Sequence, residues 1–249
     1  MVVVGPAVEV VLVSGCESLE DWAAPVAAHL MGWEQERMAR FVKRDDRARY
    51  AAAHLLVRWA LARSLGEPEL ALSLDQTERG KPFVTDPAPA AEVSFSLSHT
   101  RGLVGCALWS TAPVGLDLEA STRRLQVVEL LDTVLSSGER EQWERAGLAE
   151  GPALERFLEL WTLKEALSKA LGVGLSVAPE EWSFDLDTSP IHRLLSLPDA
   201  FGDPTHWQFE QTRSPEGHVV SLAIPNPGPD PVPVEWTHLG AHELLAAMA

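Results

Sequence analysis

Val114-Gly115-Leu116-Asp117-Leu118-Glu119 reads as a strand, and Trp161-Thr162-Leu163-Lys164-Glu165-Ala166-Leu167-Ser168-Lys169 reads as a helix. Side chains alternate faces along a strand, so Asp117 and Glu119 share one face and Leu116 and Leu118 the other. Two neighbouring carboxylates repel unless a cation or a proton lies between them. On the helix, Glu165 and Lys169 stand four apart and also share a face. Where such a helix meets such a strand, three carboxylates and a lysine converge. Three oxygen donors suit Mg²⁺, which takes a few carboxylates and keeps positions for water and phosphate.

Working outward, the helix has a counterpart. Arg58-Trp59-Ala60-Leu61-Ala62-Arg63-Ser64-Leu65-Gly66 aligns without a gap on Lys164-Glu165-Ala166-Leu167-Ser168-Lys169-Ala170-Leu171-Gly172. Both read as helix ends, with a basic residue in the last turns and a terminating Gly. Val8 to Val13 and Val114 to Glu119 are matching strands. Val93 to Ser98 with Gly102 to Leu108, and Trp207 to Gln211 with His218 to Ile224, are matching hairpins. The order strand, helix, hairpin thus occurs twice, which implies an internal duplication with its seam near Trp109 to Pro113. The expected domains are 1–110 and 111–249. Helices are expected over about Arg47 to Leu65, after Asp45 and Asp46, and over Glu155 to Leu171. Another should start near Ser136-Ser137-Gly138-Glu139, where Ser precedes an acid at capping distance. Thr85 to Ala91 reads as a loop. The proline-rich Pro225 to Pro233 reads as an extended surface connection, and His238 to Met248 as a short terminal helix.

The 249 residues accommodate one large domain or two of about 120 each. With 46% hydrophobic residues and nine Trp, a sizeable core is available. Cys16 and Cys106 are the only cysteines, so no disulfide framework is expected, in keeping with a reducing cytoplasm. The apolar N-terminus contains Glu9, and the first Lys or Arg is Arg37, a pattern read as a buried strand and not a signal peptide. No run of 18 apolar residues exists, so no membrane span is expected. The net charge of −16 argues against a duplex nucleic-acid binder.

Weaker elements accompany the acidic motifs. Gly80-Lys81-Pro82 follows the polar turn Asp75 to Arg79, where Gly admits an anion to the backbone and Lys adds a point charge; by itself Gly-Lys-Pro is more often an ordinary turn. Ser98-His99, ending the strand from Val93, places a hydroxyl and an imidazole where a phosphate could be held. Arg37, Arg40, Lys43, Arg44, Arg47 and Arg49 concentrate positive charge in an acidic chain, or form a solvated helix face.

The acidic motifs in this order, preceded by Gly80-Lys81-Pro82 and Ser96-Leu97-Ser98-His99, resemble the 4′-phosphopantetheinyl transferase superfamily, in its surfactin-type branch, from about Arg37 to Ser183. The resemblance implies an α+β fold of two similar α/β halves related by a pseudo-twofold axis, with coenzyme A between them and one active site in a monomer. The implied reaction transfers the 4′-phosphopantetheine arm of coenzyme A to a serine of an acyl or peptidyl carrier protein, releasing adenosine 3′,5′-bisphosphate. By motif, Asp117, Glu119 and Glu165 would hold Mg²⁺ against the pyrophosphate. Asp117, Glu165 and Lys169 would be catalytic, with Glu165 as base and Lys169 stabilising the departing phosphate. Lys164, Glu165, Lys169, Lys81, Ser98 and His99 would contact coenzyme A. Arg37 would bind its nucleotide end, and Gln76, Thr77, Arg79, Gly80 and Lys81 would line the adenosine pocket. Carrier proteins are usually acidic, and so is this chain, which shifts the expected docking toward apolar contacts. Leu125, Val127, Val128, Leu130 and Leu131, after Arg123 and Arg124, are the candidates, unless they form a helix packed on the core. A metal-dependent phosphodiesterase or nuclease would use similar carboxylates, and a non-catalytic binding module is a third reading.

Overall fold

The computed structural model describes residues 7–18, 26, 29–66, 72–77, 81–86 and 93–247. Two compact units form: Met1–Pro113 with Pro233–Ala249, and Val114–Val232.

In the first unit, the apolar run Val8–Ser14 forms β1. The helices α1 (Gly32–Ala39) and α2 (Arg44–Leu65) follow, then a separate hairpin of β2 (Ser73–Gln76) and β3 (Pro82–Asp86). β4 (Ser94–Thr100) and β5 (Leu103–Trp109) form the second hairpin, and β5 lies antiparallel to both β4 and β1. α2 packs on this sheet through Leu55, Leu56, Leu61 and its alanines. It begins at Arg44, earlier than the sequence suggests. Asp45 and Asp46 lie inside the first turn, where the helix dipole favours negative charge.

The second unit starts with β6 (Gly115–Glu119), continues through α3 (Val127–Val134), α4 (Ser137–Ala146) and α5 (Glu150–Leu171), and adds the short pair β7 (Ser183–Phe184) and β8 (Leu194–Ser196). β9 (Trp207–Arg213) and β10 (Val219–Pro225) complete it, in the sheet order β6-β10-β9. α5 starts at Glu150, ahead of the expected Glu155. Pro152 is tolerated there because first-turn N–H groups have no helical partner.

The two units share a plan. Sheet order β1-β5-β4 in one matches β6-β10-β9 in the other. α2 and α5 are each 22 residues long and each ends at a left-handed glycine, Gly66 and Gly172. A further correspondence lies in the buried charges. Glu34, in the first turn of α1, accepts from Met31 N and is gripped by Arg58 of α2 through both oxygens. Glu139, in the first turn of α4, accepts from Ser136 N and pairs with Lys164 of α5. Each acid caps a short helix while neutralising a cation buried on the long one.

The C-terminal segment returns to the first unit. β11 (Val234–Gly240) lies parallel to β1, with Val8 opposite Val234, and α6 (Ala241–Ala246) follows. This corrects the placement of the tail with the second half, and the expected helix from His238 is strand as far as Gly240. Cys16 and Cys106 are buried and unbridged, and burial pushes the Cys16 thiol up to about 12. No helix among the described residues is long and apolar enough to cross a membrane.

Candidate active site

The site is built where α5 crosses β6. Gly115, Asp117 and Glu119 share a face of the strand, and Gly115 shows what covers it. A Cβ there would lie 1.8 Å from Ala166 O and 2.6 Å from Ala170 N. The missing side chain therefore lets the helix backbone rest on the strand. That close approach carries Glu165 and Lys169 to the acidic pair.

Lys169 Nζ lies 2.6 Å from Asp117 Oδ1 and donates to Leu116 O at 3.0 Å. Its close partner is thus the strand aspartate, while Glu165, one turn earlier on α5, feels its charge. Burial raises the Glu165 carboxyl above the usual range; Asp117 raises it further, and Lys169 opposes both. Burial likewise raises Glu119. Arg123 opposes that shift, Asp117 adds to it, and a hydrogen bond from Trp161 and the charge of Lys169 oppose it. Trp161, which opens the helix motif, is therefore a support for the second strand carboxylate. Arg123 forms an ion pair with Glu119 from the turn after β6.

Behind Asp117 lies a polar network that sequence reading missed. Ser221 stands opposite Asp117 on β10 and is fully buried. Its hydroxyl bonds Thr162 Oγ1 at 2.7 Å and accepts from Gln211 Nε2 at 2.9 Å. Gln211 also donates to Glu159 O, so the network ties α5 to the β9–β10 hairpin. Only the turn-rich hairpin pattern hinted at these residues; their pairing requires the register.

Asp117 is coupled electrostatically to both glutamates, and the three fit a divalent cation by donor type. Among the described residues, however, no three acidic, His or Cys side chains stand gathered as a ready metal cluster. The expected convergence is thus one of mutual electrostatic reach. Positive charge comes from Lys169 and Arg123, which oppose the effect of burial and of Asp117 on the two glutamates.

Lys164 requires a correction. Its side chain is 1% exposed, and its ammonium donates to Val134 O and Glu139 Oε2 at 2.6 Å, to Pro179 O at 2.9 Å and to Trp182 O at 3.0 Å. Its hydrogen-bonding capacity is used internally, so it is an anchor of the fold and not a contact for coenzyme A. Burial lowers its proton affinity, with Glu139 opposing.

In the first unit, several other expected site residues meet. Arg37 NH1 lies 3.3 Å from Gln76 Oε1, joining α1 to β2. Thr77 and Lys81 close the β2–β3 turn, with Thr77 N bonded to Lys81 O and Lys81 N to Thr77 Oγ1. Burial lowers the proton affinity of Lys81. Ser98 is buried and His99 exposed, on opposite faces of β4, and that strand runs on to Thr100. Arg79 and Gly80 lie outside the described residues. Of the basic cluster, Arg49 is spent on Glu17 and Asp46.

The profile of the 4′-phosphopantetheinyl transferase superfamily matches residues 113–223, and that of the 4′-phosphopantetheinyl transferase N-terminal region matches residues 17–110. The chain is 33% identical over 210 residues to a phosphopantetheinyl transferase of Thraustochytrium sp., covering 81% of this chain and 72% of that protein. It is 27% identical over 205 residues to the mouse L-aminoadipate-semialdehyde dehydrogenase-phosphopantetheinyl transferase, covering 78% and 66%. It is 31% identical over 144 residues to the 4′-phosphopantetheinyl transferase gsp of Aneurinibacillus migulanus, covering 58% and 56%. The matches span both units, and the α5–β6 site lies within the first of these profiles: the chain belongs to the 4′-phosphopantetheinyl transferase superfamily.

Proposed function

We infer that the protein transfers the 4′-phosphopantetheine group of coenzyme A to a serine of an apo acyl or peptidyl carrier protein, releasing adenosine 3′,5′-bisphosphate. The observation that carries this reading is the ion pair of Lys169 with Asp117 where α5 crosses β6, with Glu119 and Glu165 in electrostatic reach of Asp117, inside the family match. Asp117, Glu119 and Glu165 would hold Mg²⁺, which when bound neutralises pyrophosphate charge. Glu165, with proton affinity raised by burial and by Asp117, is suited to take the proton of the attacking serine. Lys169, held by Asp117 and Leu116 O but partly exposed, would meet the departing phosphate. Arg37, Gln76, Thr77 and Lys81 are assigned to the nucleotide end of coenzyme A, together with Arg79, Gly80, Ser98 and His99.

A groove of about 1030 Å³ in the second unit is lined by Arg123, Arg124, Leu125, Val128 and Leu131, and we assign it to the carrier. Val128 is 80% exposed, whereas Val127, Leu130 and Leu131 turn toward Phe157 and Leu158. The expected apolar docking surface is therefore partly core. Two arginines beside an exposed apolar side chain suit an acidic partner despite the chain's overall charge. No observation favours a phosphodiesterase. Incubation with an apo-carrier, coenzyme A and Mg²⁺ should add the mass of one phosphopantetheine to the carrier. Asp117→Ala should remove nearly all of that transfer. An unmodified carrier across fatty-acid, polyketide and peptide-synthesis types would overturn the reading.

A further inference from the structure

The ion pair of Glu119 leads out of the site. Its partner Arg123 lies four residues on, in a turn closed by Arg123 N on Ala120 O at 3.0 Å. The Glu119 side chain is 11% exposed, but that of Arg123 is 44% exposed. The same arginine lines the groove beside Arg124, Leu125 and Val128. One guanidinium thus borders both a nearly buried carboxylate and an open surface. Ion pairs with a half-exposed member are weak, because water competes for the exposed charge.

We propose that Arg123 is an exchangeable counter-ion, which covers Glu119 in the metal-free protein, yields that carboxylate to a divalent cation, and is then available in the groove to an acidic carrier. This rests on the reading of Asp117, Glu119 and Glu165 as the cation site and of the groove as the carrier's. Two consequences follow from mass action. The cation must displace Arg123, so its affinity is reduced by the strength of that pair. A carrier that engages Arg123 removes the competitor, so carrier and cation each tighten the binding of the other by the same factor.

The test is calorimetric titration of Mg²⁺ at about 0.15 M ionic strength, where exposed charges are largely screened beyond the first contact. It is run with and without a carrier whose acceptor serine is replaced by alanine, so no turnover is involved. Arg123→Gln should bind Mg²⁺ roughly two- to fivefold more tightly than the wild type, the range set by the strength of a partly exposed pair. Arg124→Gln, which removes an equal charge from the neighbouring position, should keep the wild-type affinity. At saturating carrier, Mg²⁺ binding should tighten in the wild type and in Arg124→Gln, and stay unchanged in Arg123→Gln. Equal Mg²⁺ affinities in the wild type and Arg123→Gln would overturn the proposal, as would equal gains in the two variants. Persistence of the carrier effect in Arg123→Gln would also refute it. Transferase activity is judged separately by the carrier's mass, so either reading can fail alone.

Discussion

Glu165 and Glu119 owe their raised proton affinity first to burial and then to the neighbouring Asp117, with Lys169 and Arg123 acting in the opposite direction. The consequence for stability has a definite sign. Between the ordinary glutamate value of about 4.3 and the raised native value, the folded protein binds more protons than the unfolded chain. Stability of the metal-free protein therefore falls as pH rises through that window. Glu165→Gln removes the buried charge and its repulsion with Asp117. It should melt at a higher temperature than the wild type at pH 8 without divalent cations, with the advantage shrinking toward pH 4. Circular dichroism melts across that range check this; a variant less stable than the wild type at pH 8 would contradict it. Added Mg²⁺ should narrow the gap, since a cation stabilises only the species able to bind it.

At the scale of elements, the decisive contact is α5 on β6. The helix backbone reaches the strand only because residue 115 has no side chain, and the atoms in the way are Ala166 O and Ala170 N, which cannot rotate aside. Gly115→Ala should therefore cost about 3 kcal/mol, at the upper end of overpacking effects. Urea unfolding at unchanged denaturant slope measures this, and wild-type stability would mean that helix and strand are held less closely. Because the same contact sets Lys169 against Asp117, transfer should fall together with stability. The paired devices Glu34–Arg58 and Glu139–Lys164 belong to this scale as well. Each joins the start of a short helix to a long one, and each leaves a buried cation uncompensated if the acid is removed.

For the whole molecule, the notable feature is that the last strand completes the first sheet. β11 covers the side of β1 that β5 leaves free, from Val8–Val234 to Ser14–Gly240. A chain ending at Val232 would expose the hydrogen-bonding groups along that side of β1. Hydrogen exchange in such a truncation should quicken across β1 and β5 and leave β9 and β10 nearly as protected as before. Equal loss of protection in both sheets would show that the two units unfold as one.

What the sequence determined by itself was periodic and local. Val114 to Glu119 alternates as a strand must, the two helix ends announce themselves by Leu, Ala and a closing glycine, and the hairpins are spaced by turns. Those patterns sufficed for the repeated order of elements, for the acidic strand and helix of the site, and for the resemblance to the family. The tertiary structure decided everything that depends on which side chains meet. Lys164 and Lys169 look alike in sequence, yet the first is buried with Glu139, and the second, 30% exposed, pairs with Asp117 of the acidic strand. Ser221 and Gln211 support the site only through the register of β10 on β6 and β9. β11 alternates only over Val234 to Thr237, a short run after the prolines, and it becomes a seven-residue strand because β1 offers it an edge. Local propensity sets an element's type, but partner and burial are set by distant residues, which a single pass along the chain does not contain.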